Sequence, residues 1–177
     1  MYRGQKESYK LVKYLKKTQI DSILERARQD NKRNYLLLLT LWKTGMRNSE
    51  LVNLKKKDIK DDEIIIRRGK GNKPRMIPLD SHLGDLLTYH SADLTNEDLL
   101  FPLSTAQVRN ITHKYQGVED VHPHTFRHSF AVHCLLQGMN IRSLQIILGH
   151  SDLATTAVYL DLIGKDVKED YQKVEWN

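Results

Sequence analysis

The chain has a single cysteine, Cys134, among its 177 residues. No disulfide can close within it, and a cysteine-rich zinc site is excluded. Cys134 lies in an apolar helical stretch, where a thiol serves as core filler. Long apolar runs are missing as well. The longest, Leu36 to Trp42, is interrupted by Thr40 and falls far short of the ~20 residues that span a bilayer. The opening MYRGQKESYK is polar and holds no apolar signal core. These absences lead us to expect a soluble cytoplasmic protein without a membrane segment. There are also no internal repeats, no low-complexity stretches and no HExxH-like pattern.

What remains is enough chain for one domain with a sizeable core. Lys and Arg number 28 against 22 Asp and Glu, a net charge of +6. An excess of that size suits a polyanionic partner without requiring one. It is densest in residues 1–17, where Arg3, Lys6, Lys10, Lys13, Lys16 and Lys17 face only Glu7. This basic segment reads as a DNA-touching arm or as the remnant of a linker.

Periodicity predicts a mainly α fold with one small antiparallel β-hairpin, an α+β class. Thr18 with Asp21 has the spacing of a helix start, and Ile20, Ile23, Leu24 and Ala27 follow at helical intervals. A second helix spans about Lys32 to Thr44. It is apolar nearly all round and therefore central, and Gly45 is placed to close it in the left-handed conformation. Ser49 and Glu50 restart a short helix. EIIIRRGKGNKPRMIPL then combines a β-branched run, a Gly-Lys-Gly-Asn turn and a second strand ending at Pro78. Further helices are expected over Asp80–His90, from Ser104 with Gln107 through Tyr115 to a stop at Gly117, and through HPHTFRHSFAVHCLL with Phe126, Phe130, Val132 and Leu135 facing inward. The last are expected over Ile141–Leu148, Asp152 to about Leu162, and from about Lys165.

Two arginines stand at unusual places. Arg47 lies between a helix-ending glycine and a helix-starting serine, and Arg127 lies in the first turn of its predicted helix. Helix N-termini favour anions, and a guanidinium adds a planar fork that fits phosphate oxygens. Each could equally pair with a carboxylate, such as Glu50. His124 precedes Arg127 by three residues, so the two share one helix face. His128 and His133 are expected to pack or hydrogen-bond within the domain. Lys70 sits at the hairpin tip between glycines, and His150 at a corner between helices. Tyr159 follows His150 by nine residues. A phenol is ionised to only about one part in a thousand at pH 7, so it attacks nothing unless cations or a base assist it. A metal reading would draw on His122, His124, His128 or His150 with Asp120 or Asp152. It lacks a carboxylate at ligand spacing on a helix, and no metal or cofactor is expected.

Taken together, TGMRNSEL, the GKGNKPRMIPL hairpin, HPHTFRHSFA and LGHSDLATTAVY resemble the tyrosine recombinase (phage integrase) family, its Xer-type members above all. The resemblance reaches from about Thr18 to Tyr159. It implies the tyrosine recombinase catalytic-domain fold and a site-specific recombinase acting on double-stranded DNA. It further implies that Arg47 and Arg127 grip the nonbridging oxygens of the scissile phosphate and that Lys70 protonates the departing 5′-oxygen. By the same resemblance His124 assists proton transfer at the tyrosine, His150 hydrogen-bonds the phosphate, and Tyr159 forms a 3′-phosphotyrosyl link. Neither ATP nor a metal is needed, because the covalent link conserves the energy of the broken bond. The cations are expected to lower the cost of a phenolate. Family members are monomeric when free and tetrameric on paired DNA sites.

The expected division is a basic segment over 1–17, a catalytic domain over 18–163 and a tail helix over 164–177, with Val167, Tyr171 and Val174 on one face. The tail could dock on a neighbouring protomer or pack on its own chain. Two departures stand out. The duplex-clamping N-terminal domain of the family is missing, which points to an excised catalytic domain or a naturally short version with weak, salt-sensitive DNA affinity. Leu160-Asp161 also replaces the family's usual Thr-His, and Asp161 is expected to raise the phenol pKa. Two alternatives remain: a type IB topoisomerase-like nicking–closing enzyme, and a catalytically silent DNA-binding module.

Overall fold

The apolar second helix organises the molecule. In the computed structural model, which describes residues 13–67, 74–117, 120–152 and 154–163, α1 (Lys17–Asp30) and α2 (Lys32–Thr44) pack against each other and are joined at Asn31. The Asn31 side chain caps α2 by accepting the Asn34 N–H at 3.0 Å. Helix α1 buries Ile20, Ile23, Leu24 and Ala27. It starts one residue before the expected cap at Thr18. Asp21 is drawn to Lys17, and Gln19 Oε1 takes the capping role by accepting from the Lys16 N–H at 2.8 Å. On α2, Leu37, Leu38 and Leu41 are fully buried. Its two buried threonines satisfy their hydroxyls on carbonyls one turn back, Thr40 on Leu36 at 2.7 Å and Thr44 on Thr40 at 2.6 Å.

Helix α3 (Asn48–Leu51) and a short 3₁₀ turn (Lys56–Asp58) lead into strands β1 (Glu63–Ile66) and β2 (Arg75–Pro78). The strands pair antiparallel, with Ile64 opposite Ile77 and Ile66 opposite Arg75. These four share the inward face. Five helices follow: α4 (Ser81–His90), α5 (Thr105–Tyr115), α6 (Pro123–Leu136), α7 (Ile141–Leu148) and α8 (Ala154–Ile163). Helix α5 opens with the expected reciprocal cap, Gln107 N–H to Ser104 Oγ at 3.2 Å and Ser104 N–H to Gln107 Oε1 at 2.8 Å.

Helix α6 lies between α2 and α8. It buries Phe126, Phe130, Val132 and Leu135 as expected. The helix begins at Pro123, so Arg127 falls just past the first turn rather than within it. None of the described helices is long and apolar enough to cross a membrane. The expected tail helix from Lys165, with Val167, Tyr171 and Val174, lies outside the described residues, as does most of the basic segment.

Gly45 ends α2 in the left-handed region, at φ 59°, with its N–H bonded to Leu41 O at 3.1 Å. An added Cβ there would lie 2.3 Å from Phe130 Cδ1. Backbone strain and overpacking therefore act together. Gly45→Ala is expected to lower the unfolding free energy by about 2–4 kcal/mol, read as a reduced urea midpoint at unchanged m-value.

Candidate active site

The turns that follow α2 and α7 meet beside α6, and one side chain holds them there. Arg127 is 4% exposed. Its Nη1 donates to Gly45 O and its Nη2 to Leu148 O, both at 2.7 Å. Both carbonyls sit at helix C-termini, the negative ends of the backbone dipoles. Gly149 closes α7 as Gly45 closes α2, in the left-handed region at φ 64°. Burial, followed by Arg47, pulls the Arg127 pKa down to about 10, with Glu50 and Tyr159 opposing. The guanidinium remains charged at neutral pH.

Arg47 stands just before α3. Its Nη1 donates to Glu50 Oε1 at 2.9 Å and its Nη2 to Gly149 O at 3.2 Å. The carboxylate pairing anticipated as an alternative thus coexists with a place in the pocket. Glu50 also accepts a two-pronged contact from Arg75, at 2.8 and 2.7 Å. Arg75 Nε donates to Ile147 O at 2.7 Å. Burial works against the Glu50 charge, but the Arg75 fork, its charge and the Arg47 contacts outweigh it and leave the pKa lowered.

Sequence reasoning passed over Arg75. The signal was there in the two-residue period of β2. If Ile77 faces the core, so does Arg75, and a buried guanidinium needs a carboxylate.

Arg47, His124, Arg127, His128, Gly149, His150, Ser151, Thr155, Val158 and Tyr159 line one pocket of about 310 Å³. Five of the six expected site residues therefore converge. The sixth, Lys70, lies outside the described residues. His150 Nδ1 is 2.9 Å from Thr156 Oγ1. Burial, then Arg127 and Arg47, hold the His150 pKa down to about 4. The His124 pKa is lowered by burial, then by Arg127 and Arg47. Tyr159 is 3% exposed, and its hydroxyl lies 2.9 Å from His128 Nδ1. Contrary to expectation, the Tyr159 pKa is raised. Burial dominates, and Arg127 only partly offsets it. The side chain of Asp161, expected to contribute to such a rise, lies outside what is described.

The residues considered for a metal are dispersed differently. His124, His128 and His150 line the pocket beside two guanidinium groups, whose charge repels a cation. Among the described residues, only His113, Asp120 and His122 bring potential ligand atoms within 4.8 Å of one another, and none of them lines the pocket.

A helical frame with one hairpin, holding a tyrosine beside two arginines and two histidines, defines the catalytic-domain class of tyrosine recombinases. The profile of the phage integrase family matches residues 13–164, and the chain belongs to that family. It is 37% identical to a tyrosine recombinase of Pseudothermotoga lettingae over 93% of this chain and 61% of that one. It is 36% identical to tyrosine recombinase XerA of Thermococcus kodakarensis over 93% of this chain and 64% of that one. The chain thus spans a little under two thirds of these curated relatives. Among solved structures it resembles the XerA recombinase with TM-score 0.76 and 27% identity, covering 98% of this chain and 68% of that one. It also resembles the XerH site-specific recombinase bound to its palindromic difH substrate in a post-cleavage complex. There the TM-score is 0.75 and the identity 27%, covering 96% of this chain and 55% of that one.

Glu50 is the carboxylate shared by two arginines, and its side chain is 4% exposed. Glu50→Gln leaves Arg75 buried without a counter-charge. The change is expected to destabilise the fold by about 3–5 kcal/mol. Because the folded pKa is depressed, the unfolded state binds more protons as acid is added. This stabilisation is present above the unfolded carboxylate pKa of about 4.3 and is lost as pH falls through the folded value. Urea titrations at neutral and acidic pH check it: the wild type loses stability on acidification, and the variant lacks the Glu50 share of that loss.

Proposed function

We propose that the chain is the catalytic part of a site-specific DNA recombinase that cuts and rejoins strands through a 3′-phosphotyrosyl intermediate. One observation carries this reading. Arg47, Arg127, His124, His150 and Tyr159, drawn from segments far apart in sequence, line a single pocket. Tyr159 Oη attacks the scissile phosphorus, and the bond to the 5′-oxygen breaks. Charge builds on the nonbridging oxygens, where Arg47 and Arg127 are already fixed by carbonyl and carboxylate partners. Preorganised donors of this kind supply the largest share of many rate enhancements. Two of the five Arg127 N–H donors bind carbonyls, leaving others for a phosphate.

His150, fixed at Nδ1 by Thr156, presents its other ring nitrogen as a phosphate donor. His124 assists proton transfer at the pocket wall, and Lys70 protonates the leaving oxygen. The partner is double-stranded DNA, engaged by a monomer that assembles into a tetramer on paired sites. Residues 18–163 form the catalytic unit, and the tail docks on a neighbouring protomer or on its own chain.

The test is covalent capture. The protein is incubated with a pool of nicked duplexes of randomised sequence, and adducts surviving a denaturing gel are recovered and sequenced. The expected result is a 3′-linked adduct that is absent in Tyr159→Phe. Arg47→Ala should slow its formation by about 10²–10³. Duplex binding with no adduct from any sequence would replace this reading with that of a silent binding module.

A further inference from the structure

His128 lies one turn beyond His124 on α6, and its Nδ1 is the hydrogen-bond partner of the Tyr159 hydroxyl at 2.9 Å. The two rings are 5.8 Å apart, centroid to centroid, while the His124 ring lies 6.4 Å from that of His128. Among the described residues no other group is hydrogen-bonded to the phenol. We propose that His128 is the catalytic base that takes the Tyr159 proton during strand cleavage and returns it during rejoining. This assignment rests on the recombinase reading above and gives the phenol proton a destination within that site, with His124, whose ring is 6.4 Å from that of His128, assisting rather than taking the proton itself.

Three observations support it. Burial raises the Tyr159 pKa, so ionisation ahead of attack is rarer than for a free phenol, and proton removal has to accompany bond formation. His128 is within direct reach of that proton, the first requirement of a general base. The imidazole is also neutral near pH 7, because burial, then His124 and then Arg127, lower its pKa to about 4. In the neutral tautomer that carries its proton on Nε2, Nδ1 accepts from the Tyr159 hydroxyl, and this is the tautomer the assignment requires. Such a ring is a weak base in the empty pocket. A phosphodiester brings negative charge beside it, which favours the imidazolium and strengthens the base when substrate is present.

The step balances. The Tyr159 Oη–P bond forms as the phenol proton passes to His128 Nδ1, and the P–O5′ bond breaks as the 5′-oxygen gains a proton from the acid. In rejoining, the 5′-hydroxyl returns its proton to that acid as its oxygen attacks phosphorus, and Tyr159 leaves by taking back the proton held on His128.

The groups around His128 are His124 and Arg127 on α6, Tyr159 on α8, His150 at the turn after α7 and Arg47 before α3. The His124 and His150 pKa values are also lowered. In the empty pocket His128 and His150 are therefore not expected to titrate between about pH 6 and 8, and wild-type cleavage at limiting duplex should depend much less on pH there than cleavage by a His128 variant. Glutamine at position 128 can hold the hydroxyl but cannot take its proton.

On the duplex recovered by covalent capture, His128→Gln should cleave about 10²–10⁴-fold more slowly at pH 7. Its rate should climb about tenfold per pH unit as hydroxide or prior ionisation takes over. Wild-type rate in the variant overturns the assignment, and so does a slower but pH-flat rate, which marks a structural role. Nitrogen-15 NMR of the uncleaved wild-type protein gives an arm that does not depend on the variant's folding. His128 Nδ1 should resonate as an unprotonated nitrogen and shift in Tyr159→Phe. A protonated Nδ1 overturns the assignment. Adducts that form normally without His128 sink only this assignment, whereas no adduct from the wild type sinks the recombinase reading and this one together.

Discussion

The architecture of the pocket depends on one buried guanidinium bridging two helix ends. Arg127 donates to the carbonyl of Gly45, which caps α2, and to the last carbonyl of α7, and the chain leaves each of those helices through a left-handed glycine. The residues just past those glycines include Arg47 on one side and His150 on the other. The separation between the two corners is therefore set by the span of a single rigid, planar side chain. A lysine at this position would offer a point charge without the fork. Charge supplies the attraction and geometry supplies the register, since the C-terminal ends of both helices carry partial negative charge.

A second brace ties the sheet to the same place. Arg75 reaches from β2 to Ile147 O on α7 and grips Glu50, which in turn holds Arg47. Two arginines thus share one carboxylate and all three reach backbone carbonyls, a concentration of positive charge that would repel itself in the absence of those acceptors. Burial, reinforced by the neighbouring positive charge, keeps His128 and His150 neutral, and burial keeps the tyrosine protonated. The resting pocket is therefore cationic but chemically quiet. Under the proposed function, an entering phosphate would supply the missing negative charge, and the clustered cations would be complementary to it.

Much of this was legible from local sequence. The central helix, its closing Gly45, the capped start of α5 and the presence of the hairpin follow from periodicity and cap chemistry. The candidate site residues were picked out because their order and spacing resemble the family, which is non-local information, and five of the six line one pocket. What stayed hidden was partner choice across the fold. Thr18 with Asp21 looked like a helix start, yet Asp21 pairs with Lys17, and Gln19 supplies the cap. Arg127 looked like an N-terminal anion site, yet its bonded partners are carbonyls at two helix C-termini. Glu50 was visible as a neighbour for Arg47, whereas Arg75 met it only through the strand pairing. The phenol was expected to be acidified by its neighbours, and burial won instead, a balance that depends on depth and cannot be read from spacing.

The central claim is that Arg127 arranges the pocket in advance and keeps its carbonyl partners while binding phosphate. The most direct test is a crystal structure of the Tyr159→Phe protein on the duplex identified by covalent capture. The account predicts nonbridging oxygens of the scissile phosphate within hydrogen-bond reach of both Arg47 and Arg127, with Arg127 still donating to Gly45 O and Leu148 O. A phosphate seated away from the two arginines, or a guanidinium released from those carbonyls to reach it, would contradict the account.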